Sequence, residues 1–357
     1  MSESTLSEST PSEPTLLRDH TTLRLGGPAG RFVVAETEDA LIEAVRAADE
    51  DGEPLLLLSG GSNLVVADEG FPGTVVKIAT AGVAPDTEET GPACGGVLVR
   101  VAAGEPWDDF VRLAVDKGWV GVEALSGIPG AVGSTPIQNV GAYGQEVAQT
   151  IASVRVWDRR LKGVRTFAAA ECGFAYRHSR FKADPGRHVV LTVDFQFRTG
   201  DLGTPIAYAE LARALGVEPG GRVPLAQVRE TVLGLRAGKG MVLDPADHDT
   251  WSAGSFFTNP MLPADRAAAL PDDAPRWPQS DGTIKTSAAW LIDHAGFKKG
   301  HAGHRVSLST KHTLALTNRG DATTADLLAL AREVRDGVEA AYGVRLVNEP
   351  VLVGCAL

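Results

Sequence analysis

The chain has 357 residues, of which 43% are hydrophobic, and carries 45 acidic against 34 basic side chains for a formal net charge of −11. That is enough apolar material for two or three cored modules, and the acidic balance disfavours a general nucleic-acid or anionic-membrane surface while leaving room for an anionic small molecule held by a few local cations. Cys94, Cys172 and Cys355 lie far apart and form no CxxC pair, and no apolar run approaches the ~20 residues that span a bilayer, so the expectation is a cytosolic protein with reduced thiols.

Met1 to Thr15 is built of Ser, Thr, Glu and Pro with a few apolar residues and no basic residue, unlike a signal peptide, and reads as a disordered tail. Phe32 to Ala35 then suggests a strand. Ala40 to Ala48 suggests a helix with Leu41, Ala44, Val45 and Ala48 on one face, capped by Thr37 or Asp39 and ended before Gly52. Leu55 to Leu58 is too short an apolar run for a helix. Ser59-Gly60-Gly61-Ser62-Asn63 follows, then a second apolar run, Leu64 to Ala67. The pattern predicts a strand that opens into small hydrogen-bonding residues and re-enters the sheet, as a pyrophosphate cradle or as a plain tight hairpin.

Val97 to Ala102 reads as a strand and is followed by a helix whose apolar face carries Trp107, Phe110, Val111, Ala114 and Val115, stopped at Gly118. The run from Ile128 to Gly144 has no helix or strand periodicity. Its glycines 130, 133, 141 and 144 alternate with Pro129 and Pro136, and Ser134 and Thr135 add hydroxyls. Such a stretch suits a phosphate-bearing ligand, or else a buried Gly/Pro connector. Strands are expected at Ile151 to Trp157, Val164 to Ala168 and Val189 to Phe197, and a helix at Leu225 to Leu235. Beyond Trp251 a new module begins, with helices from about Thr286 to Gly296 and from Thr324 to Tyr342. There is no GxGxxG, no GxxxxGK[ST] and no HExxH, which excludes the Rossmann, P-loop and zincin readings; His301 with His304 is too thin for a metal site.

Three segments carry candidate chemistry. Phe174 to Lys182 sets Arg177, Arg180 and Lys182 among aromatics, either as a solvated basic face or as a grip for a carboxylate. Ser255 in AGSFFTNP has apolar neighbours and lies outside any GxSxG elbow, which excludes the usual hydrolase nucleophile. Glu349 interrupts the hydrophobic run LVNEPVLVG, so it is either exposed at a bend made by Pro350 or functional.

Taken together, LLLSGGSNLVVAD and SGIPGAVGSTPIQNVGAYG resemble the FAD-binding half of the UDP-N-acetylenolpyruvoylglucosamine reductase family, within the vanillyl-alcohol-oxidase (PCMH) type of flavoproteins. YRHSRFK, GSFFTNP and the EPVLVG ending extend the resemblance across nearly the whole chain, and Tyr208 in PIAYAEL resembles the tyrosine loop of one subclass. The resemblance implies an α+β fold: a tail at 1–15, a first FAD-binding subdomain at 16–82 joined by the C-terminal strand 346–357, a second at 83–240, and an α+β substrate-binding domain at 241–345.

The resemblance further implies non-covalent FAD held by Gly60, Gly61, Ser62, Asn63, Leu64, Pro129, Gly130, Ser134, Ile137 and Gly141. Tyr143, Tyr208, Lys239, Asn259 and Gln279 are implied as substrate contacts, with Trp277 standing where a tyrosine was expected. It implies that NADPH supplies hydride through FAD to an enolpyruvyl nucleotide sugar, that Arg177 and Glu349 stabilise the charge that develops, and that Ser255 protonates the carbon. No metal, nucleic acid, membrane or obligate protein partner is expected. An oxidase on the same flavin fold and a non-enzymatic nucleotide-binding protein are the rival classes.

Overall fold

The structure is a computed structural model and describes residues 14–86 and 96–357. The tail up to residue 13 and Cys94 lie outside the described residues. The mixture of helices and strands agrees with the expected α+β class.

Strands β1 (Ala29–Ala35), β2 (Leu55–Leu58) and β4 (Phe71–Ile78) form an all-parallel sheet in the order β1-β4-β2. The crossover from β1 to β2 is the helix Glu38–Asp51. Thr37 caps it by accepting from the Ala40 N–H at 3.2 Å, and Gly52 ends it at φ 67°. Both ends match the capping residues read from the sequence, although the helix runs longer than the periodic stretch did.

The second apolar run after the loop, β3 (Leu64–Val66), does not re-enter this sheet. It pairs in parallel with the C-terminal strand Val351–Val353, a correction to the strand–loop–strand expectation. A parallel partner nearly 290 positions away leaves no local mark in the sequence.

The second sheet is antiparallel, in the order Gly163–Ala168, Ile151–Asp158, His188–Thr199, Gly96–Ala102, Val83–Asp86. The helix Trp107–Asp116 lies against it and buries Trp107, Phe110, Val111 and Ala114 beside Phe195 and Phe197. Leu41, Val45 and Val76 of the first sheet's layer belong to the same core.

The C-terminal part has its own core around Phe256, Phe257, Leu291, Leu327 and Val334, joined by Leu23, Leu25 and Val65 from the N-terminal part. Burying each such side chain contributes roughly 1.5–3 kcal/mol. The helix Thr324–Tyr342 falls where its periodicity puts it, whereas the expected helix from Thr286 is shorter, Ala288–His294, because Thr286 closes a small three-stranded sheet instead. Asp68 fastens the two parts: its carboxylate accepts from the N–H groups of Thr324 and Ala325 at 2.8 and 3.1 Å, the free amides that begin that helix. Among the described residues, no helix is long and apolar enough to cross a membrane, and no group of three or more His, Cys, Asp or Glu could hold a metal ion.

Candidate active site

The two glycine-rich loops meet back to back. A Cβ on Gly60 would stand 2.4 Å from the Gly130 Cα, and one on Gly130, which has φ 122°, would approach the hydroxyls of Ser62 at 3.1 Å and Ser134 at 3.5 Å. Only glycine permits that approach. Gly61 is required for a different reason: its side chain would strike the His20 carbonyl at 1.9 Å, so this glycine serves the protein's own packing.

Among the described residues, the N–H groups of Gly60, Gly61, Ser62, Asn63 and Gly130 donate to no protein acceptor. A row of free amides on two abutting loops is a chemical match for the pyrophosphate of the implied FAD, so these residues fit the cofactor. Ser62 Oγ donates to the Pro129 carbonyl at 3.1 Å, which ties the loops to each other, and Ser134 Oγ donates within its own loop to the Ala131 carbonyl at 2.7 Å; both leave the hydroxyl lone pairs open. Thr135 is turned inward, buried with its hydroxyl on Val132, and does not belong to the cradle. Leu64 is half-buried in β3, and Ile137 is a largely exposed apolar side chain beside the loop.

Past that loop the chain reaches a compact cluster of charge. Arg177 Nε lies 2.9 Å from Glu349 Oε1, and Arg177 Nη2 donates to the Gly141 carbonyl at 3.0 Å, so Gly141 holds the arginine. The Nε–H has no aligned hydrogen-bond acceptor, and the contact is therefore ionic. Arg177, Asn139 and Tyr143 all adopt left-handed backbone, at φ 50°, 47° and 49°. Non-glycine residues held there carry strain, and such strain gathers at functional sites.

Glu349 is largely buried, and burial pushes its carboxyl above the usual range against the opposing pull of Arg177 and Lys182. The alternative of a Glu exposed at a bend is thereby excluded. Gln138 Nε2 donates to Glu349 Oε1 at 3.3 Å, while Gln138 Oε1 accepts from Asn63 Nδ2 at 3.4 Å and Lys182 Nζ at 3.5 Å. Asn63 thus serves this cluster as well as the loop.

Ser255 arrives on the neighbouring segment. The Glu349 N–H donates to the Phe256 carbonyl at 2.8 Å and Phe257 bridges Asn348, which lays GSFF alongside the glutamate. Gly254 at φ 71° makes the turn before it, and the buried rings of Phe256 and Phe257 give the apolar surroundings. The half-buried Ser255 hydroxyl bonds to no described residue and remains free to act on a ligand.

A second group stands at Tyr143. Its ring meets Tyr208 edge-on at 5.6 Å, and Lys239 Nζ sits 5.6 Å over its face while pairing with Glu210 at 2.7 Å. His312 joins them, kept neutral by burial and by Lys239, with its pKa lowered to about 4.

Asn259 is committed in part to the fold, its Oδ1 accepting from the Ala288 N–H at 3.0 Å, and lies against the Tyr176 phenol, whose pKa burial raises. Gln279 turns its amide back to the Trp277 carbonyl at 2.7 Å. Between Trp277 and Tyr176 stands Lys285, its ammonium 5.8 and 5.0 Å from the two rings.

Lys285, His312 and Gln138 are the residues of these groups that motif reading passed over, whereas Lys182 belonged to the basic cluster it named. For Gln138 the signal was present, since it lies inside the quoted glycine-rich motif. A separate cavity of about 990 Å³, with Arg18, His20, Arg24 and Lys77 on its walls, touches the expected site residues only at Gly60.

Comparison with known proteins now adds to the geometry. Residues 29–164 match an FAD binding domain, and residues 244–353 match the C-terminal domain of UDP-N-acetylenolpyruvoylglucosamine reductase. The UDP-N-acetylenolpyruvoylglucosamine reductase of Cutibacterium acnes is 59% identical over 94% of this chain and 89% of its own length; that of Streptomyces avermitilis is also 59% identical, over 94% and 93%. The crystal structure of the reductase of the same name from Thermus caldophilus superposes with a TM-score of 0.64 at 26% identity, covering 96% of this chain and 98% of the other.

Proposed function

The chain belongs to the UDP-N-acetylenolpyruvoylglucosamine reductase family, and from that premise we propose how its own residues carry the reaction. It is a flavin-dependent oxidoreductase that reduces UDP-N-acetylglucosamine enolpyruvate to UDP-N-acetylmuramate in peptidoglycan precursor synthesis. FAD, when bound, relays a hydride from NADPH to the methylene carbon of the enolpyruvyl group.

Gly60, Gly61, Ser62, Asn63 and Gly130 hold the cofactor's pyrophosphate with their free amides, Ser134 and Pro129 brace that contact, and Leu64 and Ile137 supply apolar walls. Arg177 grips the substrate carboxylate, on which charge grows as hydride arrives at the neighbouring double bond. The guanidinium is held in place by the Gly141 carbonyl, so it meets that charge without reorganising. Glu349, whose carboxyl burial raises above the usual range, joins Arg177 in stabilising the intermediate. Ser255 then gives its hydroxyl proton to the carbon beside the carboxylate, in a setting from which Phe256 and Phe257 keep bulk water. Tyr143, Tyr208 and Lys239 receive the diphosphate, while Asn259, Gln279 and Lys285 line the nucleotide-sugar path.

The observation that carries this reading is the meeting of Arg177 and Glu349 at 2.9 Å beside the segment that bears Ser255. The test is anaerobic: the bound flavin is reduced with NADPH, and the enolpyruvyl nucleotide sugar is then added. Reoxidation with formation of the lactyl ether is expected. Reoxidation by oxygen alone, with release of hydrogen peroxide, would instead establish an oxidase. We further propose a cytoplasmic enzyme that needs no obligate protein partner, since every species in this reaction is a small molecule.

A further inference from the structure

Gln138 occupies the middle of the charged cluster with no role yet assigned. The lysine ammonium has no acceptor to offer, so the Gln138 atom facing Lys182 Nζ at 3.5 Å is the amide oxygen. The amide nitrogen of Asn63 faces the same oxygen at 3.4 Å. Gln138 must therefore turn its NH₂ toward Glu349, where Nε2 lies 3.3 Å from Oε1. Arg177 Nε lies 2.9 Å from that same carboxylate oxygen, as an off-axis ionic contact. The amide bond and the ionic contact both fall on Oε1, and no described residue hydrogen-bonds to Oε2.

We propose that Gln138 is the positioning residue for Glu349, committing Oε1 as an acceptor and leaving Oε2 as the oxygen free to carry a proton toward the substrate. This rests on the functional reading above. The long hydrogen bonds suit a cluster that tightens only when a ligand is present. Lys182 and Asn63 fix the amide orientation, and so the loop holding the cofactor also sets which face of the glutamate is active. The titratable groups facing Glu349 are Arg177 and Lys182, which favour its anion, and Tyr176, whose ionised form would oppose it.

The experiment follows the Glu349 carboxyl by ¹³C NMR in flavin-bound protein labelled at glutamate, its resonance assigned by its disappearance in Glu349→Gln. An N–H donor stabilises the carboxylate, so Gln138→Met should move the Glu349 titration to higher pH than in the unchanged protein. Reoxidation by the enolpyruvyl nucleotide sugar should slow about ten- to a hundredfold, with reduction by NADPH and the substrate KM nearly unchanged. Should the Met variant lose its flavin, Gln138→Asn, too short to span the gap, should shift the titration in the same direction.

A folded Gln138 variant with an unmoved Glu349 titration overturns the proposal. If the titration moves but Glu349→Gln leaves reoxidation untouched, Gln138 still positions the carboxyl and the functional reading is what fails.

Discussion

Asp158 and Glu349 are each set against an arginine and shielded from water, and they behave in opposite ways. Asp158, fully buried, receives Arg187 through Nε at 3.1 and 3.2 Å and Nη2 at 2.8 Å, with the backbone N–H groups of Arg160 and Leu161 completing its shell. Those bonds, the one from Arg187 foremost, hold its pKa down to about 2. Glu349 has one off-axis contact from Arg177 and one long amide bond, and burial dominates, raising its pKa. A carboxylate with every lone pair occupied is an anchor. One left short of donors in a buried place keeps a capacity that only a ligand can use.

The comparison can be broken most severely by chemistry. Ser255→Ala should slow substrate-driven flavin reoxidation by roughly 10²–10⁴-fold while leaving reduction by NADPH near its native rate, as resolved by stopped-flow absorbance. Arg177→Lys, which keeps the charge but loses the planar fork, should cost about 10²-fold or more in the same half. Equal slowing of both halves would make these residues structural, like Asp158.

Asp158→Asn probes the other side. It should lower Tm by about 5 °C, because Arg187 loses its charged partner, yet leave turnover per folded molecule unchanged. A fall in turnover without a fall in Tm would reverse the assignment.

The pH dependence of stability should separate the pair by sign. The depressed Asp158 contributes stability that is present above pH 3.8 and is lost as pH falls toward about 2. The raised Glu349 works the other way: its contribution is full below pH 4.5 and is lost as pH rises through its folded pKa. Tm measured from pH 2 to 8 should therefore show Asp158→Asn removing an acid-side loss and Glu349→Gln removing a loss above pH 4.5. Parallel curves for the two variants would erase the distinction.

The smallest effect is expected from the acidic N-terminal segment. Thr15 accepts a backbone bond from the Ala29 N–H at 2.9 Å, so a deletion should stop at residue 13. Removing residues 1–13 should leave flavin content, Tm and turnover within error, since that composition offers little apolar surface to bury. Loss of flavin in that variant would show that the acidic balance of the chain matters to the site after all.

Much was legible in local pattern. Thr37 and Gly52 mark the ends of Glu38–Asp51, and the spacing of Leu327, Leu330, Val334 and Val338 marks Thr324–Tyr342, because caps and a 3.6-residue period act within a few positions. The glycine-rich loops announced themselves for the same reason: their conformational demands are written into residue type.

Only the tertiary structure decided what those segments do to one another. The destination of Leu64–Val66 depended on a strand near the C-terminus, and the pairing of Val351–Val353 with it brings Glu349 within reach of Gln138, 211 positions away in the chain. Thr135 looked like a cofactor contact by type and is turned into the protein's own packing, while Gly61 must be glycine because His20 packs against it. The opposite titrations of Asp158 and Glu349 lay equally out of view, since a carboxylate's pKa is set by how many donors the fold brings to it and how much water it removes, and neither quantity is carried by the residue itself.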